Sequence, residues 1–387
     1  MHNFSYWEKT SFFQDVDFLI VGSGLVGLNT AITLKQQYPK ARVLILERGI
    51  LPTGASTKNA GFACIGSASE IIADLQQHPA HSVWQLVAQR YEGLNRLRQR
   101  LGDSILDFES KGNYEIFTQA QGELFEKCLA EMPYLNQQLS HTIGKRDVFK
   151  EKTRFDIQSL GLNPDKIQGL IWNKAEGSLN TGKMMQALLQ MAYHLKVEIL
   201  NGITVTGIEE IENHAIVISH EIPKILAKQV IIATNAFAKD LLPQLPIVAV
   251  RNQVFVTSAI KDLKIKGCFH SEQGYIYFRN LPDNRLLIGG ARHKALVAET
   301  TAAFGENPFL EDYLYDFLKK EILPEHTAFT FEHKWSGILG MGESKMPIIK
   351  RHSPHITVAA RLGGMGVAIG ILVAEKAASI ALENIEI

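Results

Sequence analysis

The stretch VDFLIVGSGLVGLNTAITLKQQYPKARVLILE, residues 16–47, decides the fold. A short apolar strand, Phe18 to Val21, runs into Gly22-x-Gly24-x-x-Gly27. A helix follows, and a second apolar strand, Val43 to Leu46, ends on Glu47. Each part has a task in holding a dinucleotide. Gly22 permits the tight turn out of the strand, and Gly24 offers no side chain to block a pyrophosphate. Gly27 lets the helix pack closely on the sheet. Free N–H groups at the helix start, with the positive end of its dipole, face the phosphates. Glu47 follows Gly27 by 20 residues. At a strand tip its carboxylate accepts bonds from ribose hydroxyls and repels a 2′-phosphate. NADP is thereby disfavoured, while FAD and NAD stay open.

Working outward, the chain of 387 residues is long enough for two domains. Hydrophobic content of 46% and charged content of 21% are those of a globular protein. Forty basic residues balance 40 acidic ones, so nucleic-acid binding has no electrostatic support. No apolar run reaches membrane-spanning length, and the first residues lack a signal-peptide pattern. These features predict a cytoplasmic protein. Cys64, Cys128 and Cys268 are far apart and read as free thiols, with Cys64 near a suspected cofactor loop. No His/Cys cluster suggests a metal.

Segment 51–69, LPTGASTKNAGFACIGSAS, has the small residues of a backbone wrapped against a ligand. Apolar spacing predicts helices across 70–110, 121–140 and 183–196. Strands are expected near 112–118, 197–200, 203–208, 214–219, 225–233 and 247–257. Residues 274–279 and 285–290, split by Pro282-Asp283-Asn284, read as a hairpin. His355 to Ala360 reads as a strand, Leu362 to Gly366 as a turn and Val367 to Leu382 as a helix. The fold class is therefore α/β, α+β overall. A Rossmann-like cofactor domain joins a second, mostly antiparallel sheet.

These residues resemble the FAD-dependent amine and amino-acid oxidase family, which includes D-amino-acid oxidase, glycine oxidase, sarcosine oxidase and γ-glutamylputrescine-oxidase-like enzymes. The resemblance runs in order through seven segments. They are the fingerprint with Glu47, the 55–61 loop, Glu176 to Asn180, Asn201 to Val205, Ile231 to Ala236, the Tyr277-to-Gly290 hairpin, and Trp335-Ser336-Gly337 with Gly363 to Gly366. It implies two domains, each discontinuous. Residues 1–80, 150–237 and 336–387 would form the FAD-binding domain, and 81–149 and 238–335 the substrate domain. It implies noncovalent FAD held by Gly22, Ser23, Gly24, Gly27, Glu47, Arg48, Ser56, Thr57, Lys58, Asn59, Ala60 and Gly61. Val205, Ala233 and Thr234 would meet the nucleotide side, and Gly364, Met365, Gly366 and Val367 the flavin ring.

The implied reaction is hydride transfer from a small amine or amino acid to flavin N5, followed by imine hydrolysis. Such chemistry rests on positioning and electrostatics. A helix start near Gly366 would favour the charge of a reduced flavin. Oxygen or another electron acceptor is the second partner; Lys58 and Lys345 are candidate cations for activating it, though each reads first as a surface lysine. Tyr275, Tyr277 and Arg279 share one strand face and are the expected substrate anchors. Arg251 and Arg361 are alternatives, while Arg285, His270 and His293 read as packing or surface residues. The family's carboxylate-binding arginine after Trp335-Ser336-Gly337 is replaced by Ile338-Leu339-Gly340-Met341-Gly342. Oxidation of a 2-hydroxy acid, electron transfer to a protein partner, and nonenzymatic dinucleotide binding therefore remain alternatives.

Overall fold

Two large sheets organise the chain in the computed structural model, which describes residues 3–383. The first sheet grows from the fingerprint. Val16–Val21 is apolar at nearly every position and buried on both faces, as a central parallel strand must be. It pairs in parallel with Val43–Glu47 on one side and Ile225–Ile232 on the other. Glu198–Asn201 and Ile356–Ala360 extend the parallel sheet outward. Ile348–Ser353 closes one edge antiparallel, and the Val205–Ile211 and His214–Ser219 hairpin joins Ile225–Ile232. Residues 1–2 and 384–387, the outer ends of the expected cofactor domain, lie outside the described residues.

Helices Leu25–Gln37, Ala80–Leu101 and Gly366–Leu382 share one core cluster over this sheet. Bare backbone sets their spacing. A Cβ on Gly370 would lie 2.2 Å from Leu25 Cδ2, and one on Gly93 would lie 2.1 Å from the Ala368 carbonyl oxygen. The helical run expected over 70–110 is three pieces, Ala68–Gln77, Ala80–Leu101 and Asp103–Leu106, broken at Pro79 and Gly102. The helix expected at 183–196 is Thr181–His194, capped by the side chain of Asn180.

The second sheet runs in the order Phe331–Met341, Val248–Thr257, Arg285–Gly290, Ile276–Leu281, Cys268–Ser271, Asn113–Thr118, Ile167–Asn173, Phe149–Glu151. All its pairs are antiparallel except Cys268–Ser271 with Asn113–Thr118. The mixed α/β class with an antiparallel second sheet stands as expected. The domain limits shift. Residues 150–173 were expected on the cofactor side, yet Phe149–Glu151 and Ile167–Asn173 pair beside Asn113–Thr118. Helix Ala80–Leu101, expected on the substrate side, packs in the cofactor-side core. The expected limit at 336 falls inside the strand Phe331–Met341. A strand's own pattern reports that it is buried, and its partner is fixed by distant chain.

Candidate functional site

A cavity of about 680 Å³ takes its walls from both sheets. At one end stand Gly22, Gly24, Leu25 and Val26, the turn and first turn of the fingerprint. Gly22 has φ 99°, which favours glycine. A Cβ on Gly27 would lie 1.9 Å from the Gly22 carbonyl oxygen, so only glycine lets this helix start so close to the strand. Gly24 is the N-cap and offers no capping side chain, although Ser56 Oγ accepts from Leu25 N at 2.8 Å. Helix Gly366–Leu382 likewise starts without a side-chain cap, on a turn where Gly363 and Gly364 have φ 58° and 83°. Gly364, Met365, Gly366 and Val367 line the same cavity. Two helix N-termini thus bring partial positive charge to one space.

Glu47 and Arg48 line the nucleotide end, as do Val205, Ala233 and Thr234. The Glu47 carboxylate accepts from Ser23 N and Oγ, each at 2.9 Å, and from Gly49 N at 3.0 Å. Ser23 is buried behind it, outside the lining, and so holds Glu47 in place. Arg48 stacks its guanidinium 3.8 Å from the Phe237 ring centre. Thr234 Oγ1 is buried with no protein partner, an unpaired polar atom beside the cavity. Ser56, Lys58, Asn59 and Ala60 line the wall, whereas Thr57 and Gly61 face away. Thr57 Oγ1 donates to the Pro52 carbonyl at 2.6 Å, and a Cβ on Gly61 would meet the Leu179 carbonyl at 2.2 Å. Glycine-lined backbone, helix starts whose N-cap residues offer no side-chain cap and the unpaired Thr234 hydroxyl fit a dinucleotide.

At the other end stand Tyr275, Tyr277, Asn252, His270 and Arg292. Period-two alternation sends Ile276 and Phe278 into the core and leaves Tyr277 and Arg279 on the opposite face. The two part company there. Tyr277 enters the cavity, where burial pushes its phenol up to about 12 against the partial pull of Arg292 and Asn252. Arg279 does not enter. Its Nη1 donates to the carbonyls of Leu179 at 2.9 Å, Gly61 at 3.1 Å and Ala60 at 3.4 Å. The expected substrate anchor is a brace for the 60–61 turn.

Other arginines are also engaged. Arg251 forms two bonds to buried Glu299, and Arg361 clamps the Met346 and Pro246 carbonyls. Arg285, expected in solvent, pairs with Asp283 and Glu332. Arg292 is different. It is half-buried on the cavity wall, its guanidinium 4.9 Å from the Tyr275 ring centre, and no hydrogen bond or ion pair engages it among the described residues. Burial lowers its proton affinity despite Tyr275, Tyr277 and Glu70 nearby. Its one sequence signal was its place just past the Gly289-Gly290 hairpin end.

A polar cluster backs the cavity. Lys345 bridges Glu70 and Asp74 of helix Ala68–Gln77 at 2.9 and 2.8 Å, and Arg90 also meets Glu70. Burial alone would raise the Glu70 carboxyl, but Arg90 and Lys345 hold it down to about 2. Lys345 is thus an ion-pair partner as well as a lining residue. His270, expected to be packing or surface, lines the cavity beside Asn113 and Glu176. Of the cysteines, Cys64 lines the cavity, while Cys128 and Cys268 are buried free thiols away from its wall. Burial, then Glu176, raises the Cys64 thiol well above its ordinary value.

The pattern of the family described as FAD dependent oxidoreductase matches residues 17–380. The chain belongs to this family. It is an FAD-dependent oxidoreductase. Among curated relatives it is 23% identical over 380 residues to the "Probable oxidoreductase OrdL" of Haemophilus influenzae, covering 94% of this chain and 83% of that one. It is 22% identical to the "Bifunctional protein ThiO/ThiG" of Trichormus variabilis, covering 89% of this chain and 49% of that protein. It therefore spans about half the length of that relative. In fold it is similar to the L-proline dehydrogenase of P. horikoshii, with TM-score 0.74 and 17% identity, over 96% of this chain and 94% of that one. The glycine oxidase of Geobacillus kaustophilus gives TM-score 0.73 and 19% identity, over 95% of each chain. No helix among the described residues is long and apolar enough to cross a membrane.

Proposed function

We propose that this enzyme oxidises a small amine or amino acid that carries an anionic group. The observation carrying the reading is Arg292, a cavity-lining guanidinium with no acceptor among the described residues. An unpaired, half-buried cation facing a ligand cavity is costly unless an anion arrives. Tyr275 and Tyr277 flank it and supply further polar contacts. Similarity to an L-proline dehydrogenase and a glycine oxidase supports the amine class.

FAD would lie noncovalently along the wall from Glu47 and Gly24 to Gly364–Val367, and when bound it supplies the acceptor for a hydride from the substrate's α-carbon. This chain's residues do the rest. The helix N-termini at Gly24 and Gly366 favour phosphate charge and the negative charge that reduction adds. Arg292 fixes the substrate's anionic end, so that one carbon is presented to the cofactor side of the cavity. Water then hydrolyses the released imine. An electron acceptor, oxygen or another, is the second reactant. The free thiols support a reducing compartment such as the cytoplasm.

The test is anaerobic mixing of the yellow holoenzyme with amino acids, uncharged amines and 2-hydroxy acids, following loss of flavin absorbance. Bleaching by amino acids ahead of uncharged amines supports the reading. Bleaching by hydroxy acids alone, or equal bleaching by amines without an anionic group, refutes it.

A further inference from the structure

Side chains of two strands meet over the strand that lies between them. Tyr277 on Ile276–Leu281 and Asn252 on Val248–Thr257 are separated by the strand Arg285–Gly290. Between them lies Gly289, paired with Tyr277 in the ladder. A Cβ on Gly289 would lie 2.6 Å from Tyr277 Oη, so the phenol lies flat across bare backbone. There Oη accepts from Asn252 Nδ2 at 2.7 Å. Asn252 is 6% exposed, and its Oδ1 is buried without a partner.

This orientation has a chemical consequence. A phenol oxygen that accepts from an amide N–H keeps its own proton for another acceptor. Among the described residues Tyr277 donates to no protein group. Turning the amide about would let Oδ1 take the phenol proton and would remove a donor from the cavity. An unsatisfied buried acceptor costs roughly 1–3 kcal/mol, which calls for a physical reason.

We propose that Asn252 is a positioning residue that holds the Tyr277 phenol, seated over Gly289, with its hydroxyl proton turned toward the substrate's anionic group. Arg292 then supplies charge and Tyr277 supplies direction. Asn252 acts through Tyr277 and selects for a ligand oxygen that accepts. The inference rests on the anion reading above.

The experiment is a double-mutant cycle on the holoenzyme, with benzoate as the probe and the flavin absorption shift as the readout. Asn252→Asp is isosteric and accepts where Asn252 donates, so it draws the phenol proton away from the cavity. Tyr277→Phe should weaken benzoate binding by roughly 10- to 100-fold, the range of a hydrogen bond to a charged group. Asn252→Asp should weaken it at least as much in the wild type and several-fold less on the Tyr277→Phe background. Asn252→Leu, which adds no charge, serves as the second variant. Its smaller loss should vanish on that background. Equal losses on both backgrounds overturn the proposal, as does an Asn252→Asp variant that binds benzoate as well as wild type. Failure of the wild type to bind benzoate at all refutes the anion reading and removes the basis of this one. Binding with additive losses refutes the positioning role alone.

Discussion

Replacing Arg292 with Met should separate ligand binding from stability. Among the described residues no group depends on Arg292 for a hydrogen bond, and burial already disfavours its charge. Its removal should leave folding stability within about 0.5 kcal/mol of wild type, as for a substitution that breaks no native hydrogen bond or ion pair. A small carboxylate held by this guanidinium would lose charge-assisted bonds of roughly 1.5–3 kcal/mol, or about 10- to 150-fold in Kd. Arg279→Met is the mirror case. It strands the carbonyls of Leu179 and Ala60 beneath the expected cofactor loop, while the Gly61 carbonyl keeps its bond from Leu179 N at 2.8 Å. That loss should cost about 2–3 kcal/mol of stability, with flavin retention falling before carboxylate affinity does. Thermal melts of both holoenzymes and benzoate titrations followed by flavin absorbance measure the two quantities. The reasoning collapses if Arg292→Met lowers the melting temperature while benzoate binds unchanged, or if Arg279→Met alone abolishes benzoate binding in a protein that keeps its flavin.

Two further outcomes follow from the geometry. Gly27→Ala puts a methyl 1.9 Å from the Gly22 carbonyl oxygen, so the helix must back away from the strand. Overpacking of this kind costs roughly 1–3 kcal/mol, and the purified variant should carry less FAD than a Gly207→Ala control. The control Cβ meets nothing nearer than 3.7 Å, and equal flavin content in the two proteins would contradict the close-packing account. Glu272 would be raised by burial, but His293 and Lys294 bring its carboxyl down to about 2. A depressed carboxylate stabilises the fold above its unfolded value near 4.5, and that stability is lost as pH falls toward 2. Wild type should therefore lose about 1–2 kcal/mol more than Glu272→Gln between pH 5 and pH 2.5, read from urea midpoints at each pH. Parallel profiles would show that Glu272 carries no such linkage.

The segment from Val16 to Glu47 was legible because its physics is local. Strand, glycine turn, helix and terminal acid follow one another within thirty-odd residues, and each constrains its neighbour by backbone geometry. The hairpin around Pro282-Asp283-Asn284 and the glycine turn before Val367 were legible for the same reason. Alternation also placed Tyr277 and Arg279 on one face, and that is what the structure has. What alternation lacks is knowledge of what lies opposite. Arg279 meets the carbonyls of 60, 61 and 179, brought there by segments far away in the chain, and turns away from the cavity. Arg292 is freed by the opposite circumstance, since no carboxylate among the described residues comes within ion-pair distance of it.

The sequence by itself determined the glycine-rich strand, turn and helix and the α/β class, because close backbone approach leaves a signature in glycine spacing, and its resemblance to the family carried the redox class. Only the tertiary structure decided which sheet takes residues 149–173, which arginine faces the cavity and which phenol proton is left unclaimed among the described residues. Those outcomes depend on long-range partners. A side chain's role is set by the groups that satisfy it or leave it wanting, and that is a property of neighbours in space.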